Sequence, residues 1–315
     1  MSCYYGSEDI GLRKMTTNLT LFAKDLALRG LAATTQETIV GSVRRYQSWA
    51  STKSIEPEKS SRQDLLDYLG VLRARGLKQP SLLKNFSGLS TWFAFLEEIG
   101  QVPENPIPYI QHKYLKSYKD EIGQRKLISI EEASKMVSAT IDTRDRAMLV
   151  LLLKTGIRRG ELISLDVDDI SLEGLTITLK PKAKRTNRIV FFDDETRGAL
   201  ARWLNQREMF GKSTKALFIA HDGMRLEKNG VRLAIEKAAE RVGLHNPKSK
   251  RMEDRFSPHC CRHWFTTHLR RAGMSREFIQ ELRGDVRKEA IDIYDHIDAK
   301  ELKESYLAHI PQLGI

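Results

Sequence analysis

Cysteine is scarce in this 315-residue chain: three residues, two of them adjacent at Cys260 and Cys261. That is too few for a disulfide framework and fits a reducing compartment. Long hydrophobic runs are missing as well. The longest, Ala147 to Leu153, falls far short of the ~20 residues of a membrane span. No apolar stretch follows Met1 before Glu8 and Asp9, so neither an anchor nor a secretory leader is expected. Internal repeats and low-complexity tracts are absent. Nor does acid balance base. Against 41 Asp+Glu stand 52 Lys+Arg, a net charge of +11. Such a surplus favours a polyanionic partner, most often nucleic acid. The expectation is a cytoplasmic, nucleoid-associated protein with no membrane partner.

Hydrophobic residues make up 41% of the chain, and its length suits roughly two domains of about 150 residues. The first part reads as four helices without a strand pattern. "TNLTLFAKDLALRG" places Leu19, Phe22, Leu26 and Leu28 near helical spacing and stops at Gly30. "TQETIVGSVRRYQSWAST" begins with a capping-box-like Thr35/Glu37 region, "SRQDLLDYLGVLRARG" has Ser61 as N-cap and Gly76 as stop, and "SLLKNFSGLSTWFAFLEEIG" ends at Gly100. "QVPENPIPYI", with Pro103, Pro106 and Pro108, cannot continue a helix. The expected layout is a helical domain over 1–112, a polar linker over 113–125 and a second domain over 126–315.

That second part is mixed. Ser129 caps "SIEEASKMVSA", and "TRDRAMLVLLLKTG" is a buried helix stopped at Gly156. "EGLTITLKPKAKRTNRIVFFDD" reads as a β-hairpin. The fold class expected is mainly α with a small β-sheet in the C-terminal half.

Four segments carry chemistry. In "TGIRRGELISL", Arg158 and Glu161 are three apart and share a helix face. In "SPHCCRHWFTTHL", Ser257-Pro258 is a helix start, and His259 and Arg262 share the first-turn face. Amide groups at a helix start favour an anion, and a guanidinium fork matches phosphate. Zinc is a poor fit there: the adjacent cysteines diverge by about 100° on a helix and cannot join the histidines around one tetrahedral ion. No metal site is expected. The cysteines suit a core, and His263 and His268 suit packing or surface roles. The hairpin carries Lys180, Lys182, Lys184, Arg185 and Arg188 within nine residues, fitted to phosphate contact. Tyr294 lies in "EAIDIYDHID", 35 residues after His259.

The order Arg158, Lys182, His259-x-x-Arg262, Asp285, Tyr294 resembles that of the tyrosine recombinase (phage integrase) family. "TGIRRGELISLDVDDI" resembles its first arginine box, "KAKRTNRIVF" its lysine hairpin, "SPHCCRHWFTTHLRRAG" its second box and "IQELRGD…IDIY" its nucleophile segment. The likeness runs from about Lys126 to Ala299. The four-helix N-terminal part is similar to the family's core-binding (SAM-like) domain, and the tail segment most resembles archaeal and archaeal-virus members.

The resemblance implies a site-specific recombinase that cleaves and rejoins duplex DNA through a 3′-phosphotyrosyl intermediate, with no cofactor, metal or ATP. It implies Tyr294 as nucleophile, Arg158 and Arg262 as a phosphate clamp, His259 as donor or proton acceptor, and Lys182 as the acid for the leaving 5′-oxygen, with Lys184 as second choice. Glu161 would orient, and Lys180, Lys184, Arg185 and Arg188 would touch DNA. The tail, "ELKESYLAHIPQLGI", would dock on a neighbouring protomer in a tetramer on two DNA sites, or else pack on its own domain. One departure is plain: where the family has His or Trp after the glycine, this chain has Asp285. The expectation is that its carboxylate pairs with Arg287 or with one of the clamp arginines; the alternative is a carboxyl kept protonated that donates a hydrogen bond. A catalytically silent DNA-binding regulator, a type IB topoisomerase and a metal nuclease built on Asp166, Asp168 and Asp169 are the other readings.

Overall fold

The computed structural model describes residues 17–116, 126–181, 187–210, 214–249, 251–285 and 297–315. The chain divides into two compact units, Met1–Ile122 and Gly123–Ile315.

The first unit is built from α1 (Thr17–Leu28), α2 (Ala33–Thr52), α3 (Arg62–Ala74) and α4 (Gln79–Glu98). Their apolar faces meet in an aromatic core of Phe22, Tyr46, Trp49, Tyr68, Phe86, Trp92 and Phe93. The Tyr46 ring lies edge-on to Tyr68 at 5.1 Å, and Trp92 edge-on to Phe93 at 5.0 Å, the offset geometry aromatic quadrupoles prefer. At Ser61 the cap is reciprocal: its Oγ accepts from the Asp64 amide, and Asp64 accepts from the Ser61 amide.

Three details differ from the sequence reading. Leu28 is 88% exposed, because it sits at the last residue of α1, past the buried stripe of Leu19, Phe22 and Leu26. α2 begins at Ala33 behind Ala32, with no side-chain cap, so the Thr35/Glu37 region lies inside the helix. The prolines start a helical segment rather than only ending one. Pro106 and Pro108 open α5 (Ile107–Ile110), which continues as a π-helical turn over Gln111–Lys116. Proline is tolerated at a first turn, where its missing N–H has no partner to lose. Ile107, Ile110 and Leu115 are buried in the first unit's core. Residues 113–116, expected in the linker, therefore belong to that core's wall.

In the second unit, α6 (Ile130–Ser138) carries the expected Ser129 cap, closed by Glu132. α7 (Thr143–Thr155) is buried on all sides from Ala147 to Thr155 and forms the hub. A short α8 (Arg159–Leu162) follows. Next comes a three-stranded antiparallel sheet: β1 (Ile170–Ser171), β2 (Thr176–Thr178) and β3 (Ile189–Phe191), in that order. The expected hairpin is β2–β3, in which the buried Ile177 and Val190 face each other; β1 is an added strand. α9 (Asp194–Glu208), α10 (Lys228–Arg241), α11 (Pro258–Arg271), α12 (Arg276–Arg283) and α13 (Ala299–His309) follow among the described residues. Cys260 and Cys261 are free thiols in its core, and burial pushes the Cys261 thiol well up.

The tail packs on its own unit. Leu302, Tyr306 and Ile310 join a small core with Phe191, Phe265 and Leu269. Tyr306 Oη donates to the Lys154 carbonyl at 2.9 Å. Lys154, fully buried in α7, donates to Asp193 and Glu195 at 2.5 Å each and to the Pro311 carbonyl at 2.6 Å. Glu195 in turn accepts the amides of Leu313, Gly314 and Ile315. Burial works to raise the Glu195 carboxyl, but Lys154 and these amides hold it below its ordinary value. Among the described residues no helix is long and apolar enough to cross a membrane.

Candidate active site

Gly156 sets the site's geometry. It ends α7 in the left-handed region at φ 60°, a conformation cheap only for glycine. A Cβ there would stand 2.4 Å from the Phe265 ring. The chain thus leaves α7 sharply, turning Arg158 outward and aiming the Gly156 carbonyl at α11.

Arg158 is then fixed by Glu161. The Arg158 amide donates to Glu161 Oε2 at 2.7 Å, and its Nη1 donates to Oε1 at 3.2 Å. Glu161 is buried and Arg158 is 41% exposed, so a hidden carboxylate holds an accessible guanidinium.

Arg262 reaches the same place from α11. Its side chain is only 6% exposed. Nη1 donates to the Gly156 carbonyl at 2.7 Å, and Nη2 to the Arg283 carbonyl at 3.0 Å. Burial, then repulsion from Arg158 and Arg283, lowers its pKa to about 10, against the pull of Asp285 and Glu161. It stays charged at neutral pH. Ser257 is the N-cap residue of α11 and Pro258 its first residue, as the sequence suggested, but no side-chain cap bond forms; the Ser257 hydroxyl lies 3.7 Å from Cys260 Sγ.

Together these side chains line an open cleft of ≈ 520 Å³, with Arg158, Glu161, His259 and Arg262 on its walls. Arg159, Lys228 and Arg232 line it too, and sequence reasoning passed over all three. Lys228 and Arg232 are one turn apart at the start of α10, a basic i, i+4 pair that could have been noticed. What no local pattern signals is that α10 faces the cleft.

Asp285 touches both arginines. Its Oδ1 accepts from Arg158 Nη2 and Arg262 Nη2 at 3.2 Å each, and its Oδ2 pairs with Arg283 Nη2 at 3.0 Å. Of the two partners expected, the clamp arginines are the ones observed; Arg287 lies outside the described residues. Lys182, Lys184, Arg185 and Tyr294 also lie outside them. Lys180 and Arg188 do not line the cleft. Lys180 donates to Asp166 at 2.6 Å and pairs with Asp169, and Arg188 Nε donates to the Leu179 carbonyl. Lys180, then Arg225, holds the Asp166 carboxyl below its ordinary value. Asp166 and Asp169 thus act as counter-ions to Lys180 and Arg225, not as the metal site of the nuclease reading. His263 is exposed. His268 is buried, hydrogen-bonded to the Ile128 carbonyl and packed on Trp264.

The helical fold with its small antiparallel sheet is shared by solved integrases. The structure superposes on the integrase of transposon Tn1549 in complex with transposon right end DNA at a TM-score of 0.68, with 16% identity, covering 91% of this chain and 97% of that one. For a lambda integrase dimer bound to a COC′ core site the TM-score is 0.66, with 18% identity, covering 90% and 98%. These likenesses define the fold. In sequence, the model of the phage integrase family matches residues 124–301. The tyrosine recombinase XerC of Haemophilus ducreyi is 32% identical over 242 residues, covering 76% of this chain and 75% of that protein. XerC of Thermodesulfovibrio yellowstonii is 28% identical over 263 residues, covering 80% and 83%. The chain belongs to the phage integrase family and is a tyrosine site-specific recombinase.

Proposed function

We propose that this recombinase acts on double-stranded DNA by metal-free transesterification. Tyr294 Oη attacks a backbone phosphorus, the bond to the 5′-oxygen breaks, and a 3′-phosphotyrosyl linkage forms. The 5′-oxygen leaves as a hydroxyl with a proton from Lys182, with Lys184 as the second choice. Attack by another 5′-hydroxyl reverses the step onto a new strand and frees Tyr294. Phosphodiester energy is conserved in the tyrosyl ester, so the cycle needs no ATP.

The convergence of Arg158 and Arg262 on one cleft beside His259 carries this reading. The transition state gathers negative charge on the non-bridging oxygens, and preorganised guanidinium forks stabilise charge developing there. His259 is suited to donate to the same oxygens or to take the tyrosine proton. Lys228 and Arg232 extend the basic wall toward flanking phosphates, and Lys180, Lys184, Arg185 and Arg188 belong to the DNA-contacting hairpin. The first unit serves as the core-binding domain. The DNA named with the solved transposon integrase and the charge of +11 favour the same partner. Assembly as a tetramer on two DNA sites belongs to this reading.

A nicked suicide duplex incubated with the protein in EDTA and run on a denaturing gel tests it. The expected result is a covalent protein–DNA band that is lost in Tyr294→Phe while duplex binding persists. A band that survives in the Phe variant, or that requires a divalent metal, contradicts the proposal.

A further inference from the structure

Taking Arg158 and Arg262 as the phosphate clamp just proposed, we infer that Arg283 and Asp285 act together as a positioning couple that sets the spacing of the two clamp guanidiniums. Three observations carry this. First, Asp285 uses its two oxygens for different tasks: Oδ1 is shared by Arg158 and Arg262, and Oδ2 is held by Arg283. One carboxylate oxygen thereby brings two like-charged forks to a common point, and a third arginine keeps that oxygen aimed. Second, Arg283 acts on Arg262 twice, because its own carbonyl accepts from Arg262 Nη2 at 3.0 Å. Gly284 makes this possible. It ends α12 in the left-handed region at φ 59°, so that the carbonyl before it and the carboxylate after it both face the same nitrogen. Third, the couple meets the clamp from outside the cleft's lining. Arg158 and Arg262 line the cleft, whereas Arg283 and Asp285 do not.

The electrostatic reason is direct. Arg262 is buried beside two other arginines, and unscreened like charges would splay. A shared counter-ion lowers that repulsion while leaving the cleft-facing edges of the clamp for a phosphate. A carboxylate facing the cleft unpaired would repel the substrate; one whose charge is matched by three arginines repels it far less. Asp285 is thus a positioning residue rather than a donor, and Arg283 is its partner.

Single-turnover cleavage of the nicked duplex by Arg283→Gln, Asp285→Asn and the double variant tests the couple. Each is run on a normal scissile phosphate and on a methylphosphonate, which carries one charge fewer and depends less on the clamp. Misplacing the clamp by about an ångström should slow phosphate cleavage about a hundredfold in Asp285→Asn and about tenfold in Arg283→Gln. The double variant should be no slower than Asp285→Asn, because partners in one network are not additive. The loss should shrink on the methylphosphonate, which a general loss of folded protein would not cause. Slowdowns that multiply, or that are equal on both substrates, overturn the couple. Nitrogen-15 spectra of the arginine side chains test it without cleavage. Both variants should shift the Arg158 and Arg262 Nε signals together, and unchanged signals overturn it even if Tyr294 proves not to be the nucleophile.

Discussion

The two units hold themselves together differently. Among the described residues, the buried polar side chains of the first unit are neutral: Ser42, Gln79 and Asn85. Its core is a stack of rings. The second unit buries Lys154, Glu161, Asp193, Arg207, Arg262 and His268. Burying charge is costly and is tolerated only with good partners. Each of these has them, and most lie on one of two tasks. Glu161 and Arg262 build the cleft. Lys154, Asp193 and Glu195 fasten the tail to α7 and α9. The contrast fits the proposed function: a scaffold needs only apolar area, whereas a phosphate site would need cations fixed before the substrate arrives.

Removing one member of each core sharpens the comparison. Lys154→Met leaves Asp193 and Glu195 facing each other without their shared cation, and breaking such a buried pair costs about 3–5 kcal/mol. Trp92→Ala removes a fully buried ring from the first unit at a similar cost of about 3–5 kcal/mol. Urea unfolding should show both losses. The difference lies in the tail: proteolysis after residue 297 should speed up in Lys154→Met and stay unchanged in Trp92→Ala. Equal protection of the tail in both variants would break the comparison.

Clamp variants come next in size. Arg158→Ala and Arg262→Ala should each slow single-turnover cleavage by ~10²–10³, the scale of one lost preorganised donor. Lysine should restore little, since an ammonium cannot make the two-pronged contacts. Wild-type cleavage by either Lys variant would refute a bidentate role.

The smallest effect concerns His268. Burial lowers its pKa in the folded chain below the ordinary 6.5. The neutral ring is therefore the one the fold accepts. Its contribution to stability is complete above pH 6.5 and is lost as pH falls through the lowered value. His268→Gln should flatten the pH dependence of the unfolding midpoint in that window. An unchanged slope would show that another group controls it.

Much of this was legible in the sequence, and the reasons differ by element. Local signals held well. Ser61, Ser129 and Ser257-Pro258 mark helix starts and Gly156 marks a stop; Arg158 and Glu161 do pair, but with Arg158 as the extended N-cap before α8 rather than on a shared helix face. Signals that depend on distant partners did not show. Lys154 follows a fully apolar run and reads as a surface lysine until Asp193, Glu195 and Pro311 are brought to it. Arg283 looks like the last basic residue of a helix, yet its role rests on contacts with Arg262 and Asp285. Asp285 could be read as a departure that needs a cation, but not which cation. Lys228 and Arg232 are an ordinary basic pair until α10 is seen beside the cleft. Leu28 misled because periodicity continues past the point where the core ends.

The central claim is that Tyr294 attacks the phosphate held by these arginines. Trapping the adduct on a nicked duplex, digesting both components and sequencing the nucleotide-bearing peptide by mass spectrometry tests it most directly. The account predicts one modified peptide, containing Tyr294 and carrying a 3′-phosphonucleotide. Tyr306 is not a competitor, since it is fully buried and bonded to the Lys154 carbonyl. A nucleotide on any other residue, or a cleaved strand with no nucleotide on the protein, would contradict the account.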